Sequence, residues 1–167
     1  MNTQRWISCS LLAVGIIVPI ALLAVAHAEL TSKETTKTQF INPQALSKPK
    51  GFTHVVVTQP GKLVYVSGQT ARNASGNIVG MGDLRVQLTQ ALDNLKAALA
   101  AAGATTDDLI KVNYYVVNLK PDQVTVIREV RTKYLSGEHP PASTLVGVTT
   151  LAQEGLMIEI EAFAATR

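Results

Sequence analysis

Residues 156–164 read Leu-Met-Ile-Glu-Ile-Glu-Ala-Phe-Ala. A period of two marks a strand whose successive side chains project to opposite faces. Leu156, Ile158, Ile160 and Ala162 share one face, which is wholly apolar. Met157, Glu159, Glu161 and Phe163 share the other, where large apolar groups alternate with carboxylates. The apolar face needs a hydrophobic layer against it. The chain supplies one at Leu84, Leu88, Ala91, Leu92, Leu95, Leu99 and Ala102, which recur at spacings of three and four. This spacing predicts a helix that starts near Asp83, a suitable N-cap, and stops at Gly103.

Working outward, His54–Thr58 and Lys62–Ser67 are β-rich runs around Gln59-Pro60-Gly61, a pattern that predicts a hairpin. A glycine-rich loop follows, with Gly68, Gly76, Gly80 and Gly82. Leu109–Val117, rich in Val and Tyr, predicts a strand that is apolar on both faces. Pro121 opens a second helix with the stripe Val124, Ile127, Val130 and Tyr134 or Leu135, ended by Gly137. Thr144–Thr150 and Leu156–Ala164 are the last two strands. The order is β β α β α β β, with room for a lead-in strand near Phe40. It predicts an α+β fold: a single mixed β-sheet with two α-helices on one face. Nothing is left in the chain to cover the other face, which predicts an oligomer.

Composition narrows the function. The chain has 167 residues, 47% hydrophobic and 16% charged, with a net charge of +3. The apolar excess is concentrated in residues 6–28, which contain no Lys, Arg, Asp or Glu. Arg5, the apolar run and the small-x-small end Ala26-His27-Ala28 describe a secretory signal peptide over residues 1–28, with an uncleaved membrane anchor as the alternative for so long a run. Residues 29–39 are polar and read as a flexible linker, and residues 40–167 form the domain. The expected location is periplasmic or secreted, in a bacterial source, with no stable membrane association after signal cleavage. Removing residues 1–28 takes away Arg5 and Cys9, so the rest has a net charge of +2 and no Cys. A near-neutral chain gives no polyanion footprint, so no nucleic-acid partner is expected. No thiolate metal site can form, and His54 and His139 have no ligand spacing, so no metal is expected.

Several residues are candidates for chemistry. Glu159 and Glu161 are neighbours on one strand face in an apolar setting, which suits a carboxylate to general-base work. Ser67-Gly68-Gln69 ends a strand at a glycine-rich loop, where backbone amides can bind an oxygen. His54 begins a strand near this loop and is placed to line a pocket. Arg128 lies off the apolar stripe of the second helix.

The strings Ser-Gly-Gln-Thr (67–70), LDNLKAALAAAG (92–103), PPASTLVGV (140–148) and IEIEAFA (158–164) occur in this order. Together they resemble the Rid family, also called the YjgF/YER057c/UK114 family, over residues 40–167. The resemblance implies a chorismate-mutase-like (YjgF-like) fold and a homotrimer with a central barrel and ligand clefts between subunits. It also implies a hydrolase that deaminates a reactive enamine or imine, a small-molecule substrate, to a carbonyl compound and ammonia, with no cofactor. Glu159 matches the family's water-orienting Glu, Gly68 the cleft glycine next to Ser67, and His54 a cleft-lining aromatic position. The family's carboxylate-binding Arg falls in a Pro-Ala-Arg-Ser/Thr string. Here the string is Pro141-Ala142-Ser143-Thr144, so Ser143 stands at the clamp, followed by Thr144. Arg128 falls near a helix position that reaches the ligand in the family, and it is a candidate for the displaced positive charge. The substrate is expected to differ from that of standard members. The alternative is a non-catalytic trimer that binds small metabolites or acts as a chaperone.

Overall fold

A computed structural model describes residues 38–58 and 61–166. The proposed signal peptide and nearly all of the linker lie outside the described residues. The elements in chain order are β1 (Gln39–Ile41), β2 (Val55–Val57), β3 (Lys62–Thr70), α1 (Leu84–Ala101), a 3-10 turn (Thr106–Asp108), β4 (Leu109–Val117), α2 (Pro121–Arg131), β5 (Ala142–Val148) and β6 (Ile158–Thr166). The main sheet runs β3-β6-β4-β5. Strand β6 is antiparallel to both β3 and β4, while β4 and β5 are parallel across the α2 crossover. This is the mixed sheet with two helices that the sequence predicts.

The alternation in β6 fixes the layers. Ile158, Ile160, Ala162 and Ala164 are fully buried. They pack with Leu88, Leu92, Leu95 and Leu99 of α1, with Ile127 and Val130 of α2, and with Val112, Tyr114 and Val116 of β4. Helix α1 starts where expected: the Asp83 carboxylate accepts from the Val86 amide at 3.1 Å. It ends where Gly103 takes a φ of +74°, a conformation that costs glycine little.

Three expectations are corrected. The strand Val55–Val57 pairs with Gln39–Ile41, antiparallel, and does not form the predicted hairpin ladder with Lys62–Ser67. Three consecutive valines carry no alternation to select a partner, and β3 takes its partner from β6 instead. Helix α2 stops at Arg131, six residues before Gly137, and Tyr134 and Leu135 close the turn by donating their amides to the Arg131 carbonyl. Strand β4 is apolar on its helix-facing side only. Its other face carries Lys111, Asn113 and Tyr115, all half-buried.

One buried polar side chain was not foreseen. Gln87 lies on the apolar stripe of α1 with no exposed surface. Its Nε2 donates to the carbonyls of Gly80 (3.2 Å) and Gly155 (2.7 Å), and its Oε1 accepts from the Met157 amide at 2.8 Å. The side chain thereby satisfies backbone groups from two loops that lack ladder partners. Gln87→Ala strands the Gly155 carbonyl and the Met157 amide, while the Gly80 carbonyl keeps the Asp83 amide at 2.9 Å, and unsatisfied buried groups cost about 1–3 kcal/mol each. Denaturant unfolding is expected to show a loss of about 2–4 kcal/mol; a loss under about 0.5 kcal/mol contradicts this role.

Tyr114 is a second buried polar group. Its hydroxyl has no hydrogen-bond partner among the described residues. Burial pushes its pKa up to about 12, against the lowering effect of the nearby Arg131 guanidinium. A pKa raised in the folded state gives stability that is complete below the unfolded value near 10 and is lost as pH rises toward 12. Phenolate absorbance on alkaline titration is expected to show one tyrosine that ionises last, removed by Tyr114→Phe. Simultaneous ionisation of all tyrosines below pH about 11 contradicts the assignment.

Candidate functional site

The sheet face turned away from the helices gathers the polar chemistry. Register places Glu159 of β6 between Thr70 of β3 and Tyr115 of β4, and Glu161 beside Asn113. Between Val66 and Gln69 the β3–β6 register shifts, so Ser67 and Gly68 form a bulge against β6. Such a bulge bends the strand and interrupts its ladder.

The bulge brings Gly68 directly against Glu159. A Cβ built on Gly68 would lie 1.6 Å from the Glu159 Oε1 and 2.5 Å from its Cδ. No other residue fits there while the carboxylate stays in place. The requirement for glycine is close approach and not backbone conformation, because Gly68 is not among the positive-φ glycines.

The two carboxylates differ in how they are held. Glu161 accepts from the Asn113 Nδ2 at 2.9 Å and from the Tyr115 hydroxyl at 3.2 Å. Burial, then the charge of Glu161 and its hydrogen bond, and lastly the charge of Glu159 raise the Tyr115 pKa above the ordinary tyrosine value. The hydroxyl therefore stays a donor to Glu161 throughout the neutral range. The Glu159 carboxylate has no hydrogen-bond donor among the described residues. It is half-exposed and retains its capacity to hold a water or accept a proton. Tyr65 and Phe163, ring centroids 5.4 Å apart and edge to face, form an aromatic wall further along the same strands. Lys111 donates to the Thr144 hydroxyl and places a cation on this face.

The other candidates are distributed as follows. Ser67 is exposed in the bulge, and its carbonyl accepts from the Gln69 side chain at 3.1 Å. Thr144 is exposed on the Glu159 side of the sheet. Ser143 pairs with Val112 and so belongs to the helix-facing side. His54 is tied into the lead-in segment: its Nε2 pairs with the Ser47 carbonyl at 2.8 Å, its amide donates to the Asn42 side chain, and its ring meets Phe52 edge on. Arg128 is exposed on α2, also on the helix side. Within one chain the sheet thus joins Glu159, Gly68 and Ser67 and separates them from Ser143 and Arg128. Among the described residues no three His, Cys, Asp or Glu side chains are gathered as a metal site. The sequence reading missed Lys111, Asn113 and Tyr115. Their spacing of two residues in β4 was the available signal.

Comparison with known proteins agrees with this architecture. The family model described as Endoribonuclease L-PSP matches residues 43–166. A 2-iminobutanoate/2-iminopropanoate deaminase of Dermatophagoides farinae is 35% identical over 103 residues, covering 62% of this chain and 77% of that protein. A RutC family protein of Pyrococcus horikoshii is 35% identical over 104 residues, covering 62% of this chain and 79% of its own. Among solved structures, a Rid family protein of unknown function from Yersinia pestis superposes with a TM-score of 0.74 at 39% identity, covering 77% of this chain and 98% of that one. The sheet order, the Gly68–Glu159 contact and these matches lead to one conclusion: the chain belongs to the Rid family.

Proposed function

We propose that the protein hydrolyses a reactive enamine or imine to a carbonyl compound and ammonia, with Glu159 as the group that positions and activates water. The observation that carries this reading is the contrast between the two carboxylates. Glu161 is occupied by two donors, whereas Glu159 is pressed against Gly68 with its oxygens uncommitted. The deaminase of Dermatophagoides farinae among the relatives supports the same reaction class.

The chemistry asks little of the protein. An enamine first tautomerises to its imine, whose carbon is electrophilic. A water held by Glu159 adds to that carbon and gives a carbinolamine. The C–N bond then breaks as nitrogen takes up a proton, leaving a carbonyl group and ammonia. In each step Glu159 takes a proton from oxygen, first from the water and then from the carbinolamine hydroxyl, and passes it to the nitrogen, so no net proton stays on the enzyme. Holding water and imine in contact supplies much of the rate.

The clamp is where this chain departs from the family pattern. Ser143 offers a hydroxyl where a guanidinium would grip a carboxylate with two charge-assisted bonds. The proposed substrate therefore lacks the strict need for a carboxylate that a clamp would impose. Ser143 also supports the second reading, a trimer that binds small metabolites without catalysis or acts as a chaperone. The family-model description as an endoribonuclease is not adopted, because the face around Glu159 carries two carboxylates and no histidine pair.

Assembly and location belong to the same proposal. Leu63, Tyr65 and Val146 are 44%, 72% and 39% exposed. Apolar side chains this open fit a face that other copies cover. In a homotrimer, the helix-side Ser143 of one copy can meet the Glu159 face of the next. Residues 1–28 are proposed as an export signal, which places the trimer in a periplasm or outside the cell.

Iminopropanoate generated with an amino-acid oxidase provides the assay, with keto acid release as the readout. Glu159→Gln is expected to lower turnover at least about tenfold while the assembly persists. Gly68→Ala, which displaces the carboxylate, is expected to do the same. Unchanged turnover in both variants removes Glu159 from the mechanism, and no acceleration by the wild type favours the binding trimer. Sedimentation equilibrium at micromolar concentration is expected to give three chains per particle, and a monomer refutes the assembly.

A further inference from the structure

Strand β3 outlasts its bulge by very little. Beyond Ser67 and Gly68 it pairs with β6 at Gln69–Ile160 and Thr70–Glu159, and there the ladder ends. The core helix takes over at that point. The Thr70 carbonyl accepts from the Asn94 Nδ2 of α1 at 2.9 Å and from the Arg72 amide at 2.8 Å. The same Nδ2 gives its second hydrogen to the Arg72 carbonyl at 2.8 Å.

Asn94 is half-buried and its amide group is fully used. Both Nδ2 hydrogens go to the end of β3, and Oδ1 accepts from the Gln90 Nε2, one turn earlier in α1, at 2.9 Å. The Gln90 bond fixes which way the amide points. Turned over, it would set Oδ1 against two carbonyl oxygens and Nδ2 against another donor. A carboxylate of the same shape has no hydrogen to give and cannot replace it.

This clasp lies close to the contact that the proposed chemistry uses. Gly68 stands between two fixed stretches: Lys62–Val66, laddered to β6, and Thr70, held by Asn94. At the bulge itself the ladder is interrupted. We infer that Asn94 is a positioning residue for Glu159: by clasping the end of β3 it holds the Gly68 backbone against the uncommitted carboxylate. Asn94 is not itself placed on the reacting atoms and acts through β3. Its effect on turnover rests on the deaminase reading, whereas its effect on the geometry does not.

Asn94→Asp tests the inference, because it keeps the shape and turns the two donors into acceptors. In the iminopropanoate assay kcat is expected to fall at least about fivefold with KM within about twofold of the wild type, as for a group that matters only at the reacting centre. Partial unfolding would also lower kcat alone, so Asn94→Asp is combined with Glu159→Gln. The double variant is expected to turn over within about twofold of Glu159→Gln, because the same carboxylate cannot be lost twice. Losses that multiply overturn the inference. Amide exchange needs no turnover. The Arg72 amide, which donates to the clasped Thr70 carbonyl, is expected to exchange at least about tenfold faster in Asn94→Asp, while the Tyr114 amide in the middle of β4 keeps its wild-type rate. An unchanged Arg72 amide overturns the inference, and so does a crystal structure of the variant with Glu159 still against Gly68. Should the wild type fail to accelerate keto acid release, or Glu159→Gln turn over normally, the deaminase reading falls and the exchange and crystal measurements alone decide the role of Asn94. If Asn94→Asp does not fold by circular dichroism, Gln90→Ala is read in its place. It frees the amide to turn and is expected to lower kcat and to speed Arg72 exchange at least about twofold each; behaviour identical to the wild type overturns the inference.

Discussion

Burial of Ile158, Ile160, Ala162 and Ala164 against the helices is the constraint on which the rest of this molecule depends. Side chains of a strand alternate, so fixing these four to the core fixes Glu159 and Glu161 to the other face. A slip of one residue would drive two carboxylates into the leucines of α1 and expose the isoleucines, at a cost that no other contact offsets. Strand β6 is also paired on both edges, by β3 and by β4. Its side chains are therefore positioned by two ladders at once. A reactive group on such a strand is held more firmly than one on a loop.

From that placement, neighbouring strands give the two acids different roles. Strand β4 supplies Asn113 and Tyr115, and both are spent on Glu161. Strand β3 supplies a bulge with a glycine, which donates nothing to Glu159 but makes room for it. Two chemically identical side chains two residues apart thus become one structural acceptor and one uncommitted carboxylate. The difference comes from what the adjacent strands present at each register position, and not from any difference in the glutamates.

The parts of this architecture that obey a period were legible in the sequence. The α1 stripe, its Asp83 cap and its Gly103 stop, the alternation of β6 and the two helices on one face follow from spacing alone. The hairpin failed because Val55–Val57 lacks a period, and in such a run pairing is decided by what the rest of the chain leaves available. Gln87 was hidden because a polar residue on an apolar stripe reads as a flaw until its three backbone partners are known. For the site, the resemblance singled out Glu159 and Gly68, whereas their physical contact depends on a bulge that the string Ser-Gly-Gln does not reveal. The failure to read Lys111, Asn113 and Tyr115 as one face of β4 was avoidable, since they too repeat every second residue.

The Gln87 side chain has a further consequence for how the domain moves. It fastens the loop at Gly80, the first turn of the core helix and the loop at Gly155–Met157 with three bonds from one residue. Opening the loop at Gly155–Met157 strands the Gln87 Oε1, and withdrawing the helix strands the Gly155 carbonyl and the Met157 amide. The Met157 amide, held by Gln87, therefore exchanges with solvent water only when this loop and the helix part. The approach to β6 is in this way as slow to breathe as the strand it leads into.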